Sequence, residues 1–419
     1  MHDFQYRGDE LFGEDVPIRT IAEKVGTPFY LYSRHTLESH FQAFDSPFSK
    51  IPHLVCFSAK ANSNLAILRV FTRLGSGVDV VSGGELFRAL KAGARPDRVV
   101  YSGVGKRPDE IEYALETSIL MFNVESAQEL LAIDQIAKKL GKKASVGLRV
   151  NPDVDPKTHP YISTGLKKNK FGINIQKSLN DYRLAHTLPN IEVIGVSCHI
   201  GSQLTDVGPF VEALQRVKDL VLKLKAEGMP IRYLDMGGGL GITYNQEEPP
   251  QPREYAGSLI KELDGLECTL VLEPGRVIVG NAGILVTRVL YTKEGTEKNF
   301  IIVDAAMNDL IRPSLYGSFQ GVQPVQRKER EEIVADVVGP ICESGDFLAK
   351  DRKLPKAEPG ELLAVMSAGA YGFTMSSNYN SRPRVPEILV HQDRFSVVRE
   401  REDYEDLIRG EIIPDFLAE

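Results

Sequence analysis

Cysteine is scarce in this chain, and its few cysteines do not cluster. Cys56, Cys198, Cys268 and Cys342 stand far apart, with no CxxC pair among them. That pattern speaks against a disulfide framework and against a structural zinc site. Long apolar runs are missing too. The richest stretch, Thr269 to Leu290, is broken by Glu273, Arg276 and Arg288, so no bilayer-spanning segment is expected. The opening MHDFQYRGDELFGED is mixed and acidic, whereas a secretory signal is charged and then apolar. A soluble, cytoplasmic protein is the expectation. Positive charge is not in excess: Lys+Arg 50 against Asp+Glu 57 leaves a net −7. Neither nucleic acid nor a membrane surface is expected as a partner. There is no low-complexity tract and no repeat of solenoid period. No GxGxxG follows the first strand, no GxSxG elbow appears, and no clustered His or carboxylate spacing suggests a metal.

What remains is ordinary globular composition, 42% hydrophobic and 26% charged, over 419 residues. That length suggests two or three domains with ample core. Eight short runs rich in Val, Ile, Leu and Phe read as strands: Leu54–Lys60, Gly77–Val81, Arg98–Ser102, Ile119–Asn123, Ala144–Val150, Ile191–His199, Arg232–Met236 and Thr269–Glu273. Several are almost continuously apolar, as strands covered on both faces of a parallel sheet must be. Between them lie stretches with apolar residues at helical spacing, such as Asn64–Leu74, Ser126–Leu140 and Pro209–Glu227. Eight such units point to a (β/α)8 barrel, an α/β fold, ahead of an open Rossmann-like sheet. After residue 280 the texture changes to short strands and turns, a second and mostly β domain. FYLYS (29–33) is a strand candidate that could pair with it. The expected division is a barrel over 36–280 and a β-rich domain made of 1–35 and 281–419.

A barrel keeps its active site at the carboxyl ends of its strands. Those ends carry Lys60, Asp79, Ser102, Asn123, Arg149 with Asn151, His199, Gly237–Gly239, and Glu273 with Arg276. Lys60 in CFSAKAN ends an apolar strand, where partial desolvation makes its neutral amine available as a nucleophile of the Schiff-base kind. Taken alone, such a lysine is more often a snorkelling side chain. DMGGGLG (235–241) lets backbone N–H groups approach an anion, yet three glycines also make a tight βα turn. Glu273 could hold a pyridine nitrogen protonated, or could form an ordinary ion pair with Arg276. His199 could stack on a flat ring or simply be hydrogen-bonded. Each feature is weak. Together, lysine, phosphate cradle, flat-ring partner and pyridinium carboxylate describe a site for pyridoxal 5'-phosphate.

The motifs FYLYS, FSAKAN, DVVSGGE, KFGI, HIGSQ, DMGGGLG, EPGR, RPSLYG, CESGD, GAYG and SNYNSRPRVPEILV follow one another along nearly the whole chain. In that order the chain resembles the diaminopimelate decarboxylases, which belong to the alanine-racemase-like, fold-type III pyridoxal phosphate enzymes. The resemblance implies that Lys60 bonds the cofactor and His199 stacks on its ring. It implies that Ser202, Gly237, Gly238 and Gly239, with Gly275 and the Arg276 backbone, hold the phosphate, and that Glu273 meets the pyridine nitrogen. Arg276, Arg312 and Tyr316 match positions that bind the substrate carboxylate, and Glu343 the group that receives the distal ammonium. Tyr371 matches a residue near both cofactor and substrate. Cys342 matches a proton-donating thiol that enters from a second subunit, so a homodimer with shared sites is implied.

The implied reaction converts meso-2,6-diaminopimelate to L-lysine and CO2, the last step of lysine biosynthesis. Its substrate has a zwitterionic far end, which an arginine suits. Similar decarboxylases of ornithine, lysine or arginine face a lone ammonium there, and by resemblance carry an acidic residue near that position. A racemase of this fold would place arginine, not Glu273, against the pyridine nitrogen. A non-catalytic relative would show damage at Lys60, the glycine turn or Cys342, and none is visible. A small pyridoxal phosphate carrier would lack the β domain.

Overall fold

The eight apolar runs become eight parallel strands: β1 His53–Ser58, β2 Gly77–Val80, β3 Val99–Tyr101, β4 Met121–Val124, β5 Ala144–Asn151, β6 Ile191–Ser197, β7 Tyr233–Asp235 and β8 Thr269–Leu272. The computed structural model describes residues 2–155 and 170–417. Each strand pairs with the next, and β8 pairs in parallel with β1 through Leu270 opposite His53, which closes the ring. The expected barrel is therefore present. Cys56, Val100, Met121, Ile194 and Val271 pack together from five of its strands or the chain beside them. Burial of such side chains stabilises by about 1.5–3 kcal/mol each.

Helices follow the strands, and their starts are written in the sequence. Asn64 Oδ1 accepts the Ala66 N–H at 2.9 Å ahead of Leu65–Arg73. Ser82 and Ser126 cap Gly83–Lys91 and Ala127–Leu140 in the same way, at 3.2 and 3.1 Å. Several strands end sooner than their apolar runs suggest. Lys60 lies in the 3-10 turn Ala59–Ala61, and His199 and Glu273 lie just past β6 and β8. The chain leaves the ladder there because its amides turn elsewhere: Glu273 N–H bonds the Gly237 carbonyl at 2.7 Å, and Ser58 N–H the Pro274 carbonyl at 3.0 Å. No helix among the described residues is long and apolar enough to cross a bilayer.

The barrel unit runs Leu37–Gly280, and the residues on either side of it form the second unit. There the first-half strand Phe29–Ser33 lies between Gly283–Lys293, antiparallel, and Glu387–His391, parallel. FYLYS thus completes a sheet otherwise built from the carboxyl-terminal third of the chain. Asn299–Val303, Glu332–Val338, Phe347–Pro355 and Leu362–Val365 extend it, and Arg394–Arg399 forms a hairpin with Glu387–His391. A separate three-stranded sheet, Phe4–Arg7, Glu10–Gly13 and Val16–Pro17, was not legible in the sequence, because its strands are only two to four residues long.

Candidate active site

Polar side chains converge where the barrel strands end. The Lys60 ammonium sits 2.8 Å from Asp79 Oδ2 in an ion pair, with the Asp79 side chain wholly buried. Ser58 Oγ lies 2.9 Å from both Asp79 Oδ2 and the Glu273 carbonyl, which ties β1 to β2 and β8. Across the ring, Asn123 Nδ2 reaches Asp235 Oδ2 at 2.7 Å and Glu273 Oε1 at 3.2 Å. Ser102 Oγ donates to Glu273 Oε1 at 3.3 Å. Asp235 and Glu273 are hydrogen-bonded to each other.

Three buried carboxyls thus stand near the Lys60 ammonium, and burial disfavours the charged forms of Asp235 and Glu273. Burial first, then the charges of Asp235 and Asp79, hold the Glu273 carboxyl well above the usual carboxylate range, with Lys60 offsetting part of the effect. Burial pushes Asp235 up to about 6, although hydrogen bonds from Glu273, the Gly237 amide and Asn123 pull it down. Burial and the charges of Asp235 and Asp79 thus favour the protonated form of Glu273. His199 is neutral: desolvation, then the charges of Arg149 and Lys60, lower its pKa well below that of free imidazole.

The glycine turn is shaped from within. Gly237 N–H donates to Asp235 Oδ1 at 2.8 Å, and Gly238 N–H to His199 Nδ1 at 3.2 Å. A Cβ on Gly238 would lie 2.1 Å from the Glu273 carbonyl oxygen, so only glycine lets the turn pack against that carboxylate's backbone. Beyond it, Arg276 opens a short helix after Gly275. Its Nη2 donates to Ser202 Oγ at 3.1 Å and its Nη1 to the Tyr244 hydroxyl at 2.6 Å.

A cavity of about 410 Å³ opens among these groups, lined by Lys60, Ser102, Arg149, Phe171, His199 and Glu273. That volume suits a small-molecule site, for which about 300–1,000 Å³ is usual. Arg149 is fixed in its wall by Glu125, 2.7 Å away, and lies over the Phe171 ring at 4.9 Å. An amine, a protonated carboxyl, a neutral imidazole and an arginine–serine pair within one barrel mouth fit an aldehyde-bearing pyridine phosphate. The carboxyl matches the ring nitrogen and the arginine–serine pair matches the phosphate.

The structure therefore brings together Lys60, His199, Ser202, Gly237–Gly239, Glu273, Gly275 and Arg276 in the barrel unit. The remaining candidates lie in the second unit. Arg312 is buried in the helix Arg312–Tyr316, its guanidinium 5.8 Å from the centre of the Tyr316 ring. Ser314 Oγ donates to the Gly345 carbonyl at 2.5 Å, which joins RPSLYG to the CESGD loop. In that loop Cys342 and Glu343 are exposed, and the Cys342 N–H bonds Asn380 Oδ1 at 2.8 Å. Tyr371 sits in the turn after Leu362–Val365 with φ +55°. Sequence reasoning passed over two groups. Asp79 was noted as a strand end but not as the Lys60 partner. Asp235 was read only as the start of a glycine turn, although an aspartate closing an apolar strand two residues before glycine is a recognisable signal.

The comparisons with known proteins agree with this geometry. A family model described as "Pyridoxal-dependent decarboxylase, pyridoxal binding domain" matches residues 34–280. That places the chain in the pyridoxal-dependent decarboxylase class. The diaminopimelate decarboxylase of Vibrio cholerae is 54% identical over 409 residues, 97% of this chain and 98% of that one. That of Pseudomonas aeruginosa is 54% identical over 411 residues, 98% and 99% of the two chains. The solved structure of the Helicobacter pylori diaminopimelate decarboxylase complexed with L-lysine superimposes with a TM-score of 0.92 at 45% identity, covering 94% of this chain and 99% of its own. The M. jannaschii enzyme in co-complex with L-lysine gives 0.95 at 38% identity, with 100% of both chains covered. The chain belongs to the diaminopimelate decarboxylases.

The buried carboxyl pair gives a pH signature. The unfolded chain releases these protons from about pH 4 upward, whereas the folded protein keeps them. Their contribution to stability is therefore complete below about pH 4 and is lost as pH rises through about 6 and beyond. The thermal midpoint of the cofactor-free protein should fall across that window, and Glu273→Gln should fall less steeply. Equal slopes for the two proteins would contradict the assignment.

Proposed function

We propose that this enzyme removes the carboxylate at the D-configured end of meso-2,6-diaminopimelate, releasing CO2 and L-lysine, as the last step of lysine biosynthesis in the cytoplasm. The carrying observation is the convergence of Lys60, His199, Glu273 and Arg276 at one barrel mouth in a chain 54% identical to diaminopimelate decarboxylases. Pyridoxal 5'-phosphate, when bound, supplies an electron-poor ring that takes up the electron pair left by CO2. Lys60 Nζ is the amine that would hold the cofactor through its aldehyde carbon. Glu273 would meet the ring nitrogen, and the neutral His199 ring would be the stacking partner. Ser202, the Gly237–Gly239 turn, Gly275 and the Arg276 backbone would hold the phosphate, leaving the Arg276 guanidinium for substrate.

The substrate end is divided between cations and an anion. Arg276, Arg312 and Tyr316 take the distal carboxylate, Glu343 takes the distal ammonium, and Tyr371 lies near both ligands. The Cys342 thiol returns a proton to the carbon that lost CO2, and it acts in the site of a second copy of the chain. The active form is a homodimer, and its partners are the small-molecule substrate and the second subunit. Neither nucleic acid nor membrane is a partner.

Two measurements test this reading. Arg312→Ala removes a charge-assisted hydrogen bond worth about 1.5–3 kcal/mol, so KM for diaminopimelate should rise about 10- to 100-fold while cofactor affinity holds. Parallel loss of both would contradict its role at the substrate. Lys60→Ala and Cys342→Ala should each be nearly inactive alone. Mixed and allowed to exchange subunits, they should regain up to about a quarter of wild-type activity, because a mixed dimer carries one intact site. No recovery would contradict the shared site.

A further inference from the structure

Asp235 is fully buried, yet it does not line the cavity where substrate and cofactor meet. Its Oδ1 accepts the Gly237 amide at 2.8 Å, its Oδ2 accepts Asn123 Nδ2 at 2.7 Å, and it is hydrogen-bonded to the Glu273 carboxyl. Glu273 in turn lines the cavity. The charged groups that bear most on Asp235 are themselves carboxyls, Glu273 and Asp79, while the Lys60 ammonium lies against Asp79. Two carboxyls in contact inside a protein do not both ionise, so the pair holds one proton.

We propose that Asp235 is a positioning residue that takes the proton of this pair, so that Glu273 meets the ring nitrogen of pyridoxal phosphate as a carboxylate. The inference rests on the reading that Glu273 faces that nitrogen. In the cofactor-free protein, burial and the charges of Asp235 and Asp79 favour the proton on Glu273. A protonated ring nitrogen brought to Glu273 makes the carboxylate form the better partner. The O–H bond at Glu273 then breaks and one forms at Asp235 Oδ2, while the ring nitrogen keeps its own proton. Asp235, now a neutral acid, suits its buried position and donates to the far side of Glu273. Asn123, within reach of both carboxyls, keeps them in register throughout the shift. The same residue that shapes the glycine turn through Oδ1 thereby sets the charge facing the cofactor through Oδ2.

The test is infrared difference spectroscopy on protein carrying 13C-labelled aspartate, comparing loaded with cofactor-free enzyme near neutral pH. An isotope-shifted carboxylic acid band should appear on loading in the wild type and be missing in Asp235→Asn. This near-isosteric change keeps an oxygen for the Gly237 amide, so a purely turn-shaping role would leave the spectra alike. No shifted band in the loaded wild type, or the same band in D235N, overturns the proposal. Glu273→Gln, loaded with 15N-labelled pyridoxal phosphate, separates the two readings. If its ring-nitrogen shift matches the wild type, Glu273 does not face the nitrogen and the inference falls with that reading. If the shift moves but the aspartate band is absent, only the role of Asp235 falls.

Discussion

Three carboxyl groups and one ammonium packed into the mouth of a closed barrel form the constraint on which the rest of this structure turns. Asp79, Asp235 and Glu273 are all buried, and the Lys60 ammonium pairs with Asp79. Burying a carboxylate without a counter-charge is costly, so the protein keeps a proton between Glu273 and Asp235 and surrounds both with donors. The Gly237 amide, Asn123 and Ser102 serve that purpose. Each comes from a different strand end, so the carboxyl cluster holds the barrel mouth together as well as giving it chemistry.

The two units divide the work. The barrel supplies what a pyridine phosphate needs: a nucleophilic amine, a group for the ring nitrogen, a neutral imidazole and an arginine–serine pair. The second unit gathers charged and nucleophilic groups through short local contacts. The Ser314–Gly345 hydrogen bond places the buried Arg312 helix against the loop bearing Cys342 and Glu343. That contact joins a cation, an anion and a thiol on one pair of segments.

Much of this was legible in the amino-acid order because the barrel obeys local rules. Continuous apolar runs such as LVCFS and the largely apolar ASVGLRV are needed wherever both faces of a strand are covered, and all eight appear as parallel strands. Lys60, His199 and Glu273 stood out because charged or polar groups at the ends of apolar strands gather at one mouth. Asp235 did not, since its partner Glu273 lies 38 positions away in the chain and only the closed ring brings them into contact. The short sheet at Phe4–Pro17 escaped for a different reason: strands of two to four residues carry too few alternations to reveal a period. The early ends of β1 and β8 reflect amides diverted to loop carbonyls, which apolar content alone does not show.

The most direct measurement is release of lysine and CO2 from meso-diaminopimelate by the purified, pyridoxal-phosphate-loaded enzyme, with ornithine, lysine and arginine as parallel substrates. Lysine formed from diaminopimelate, with little turnover of the other three, is the expected result. Turnover only of a substrate with a lone distal ammonium would contradict the roles given to Arg312 and Glu343. No turnover of any of the four by cofactor-loaded protein would contradict the proposed decarboxylase activity itself.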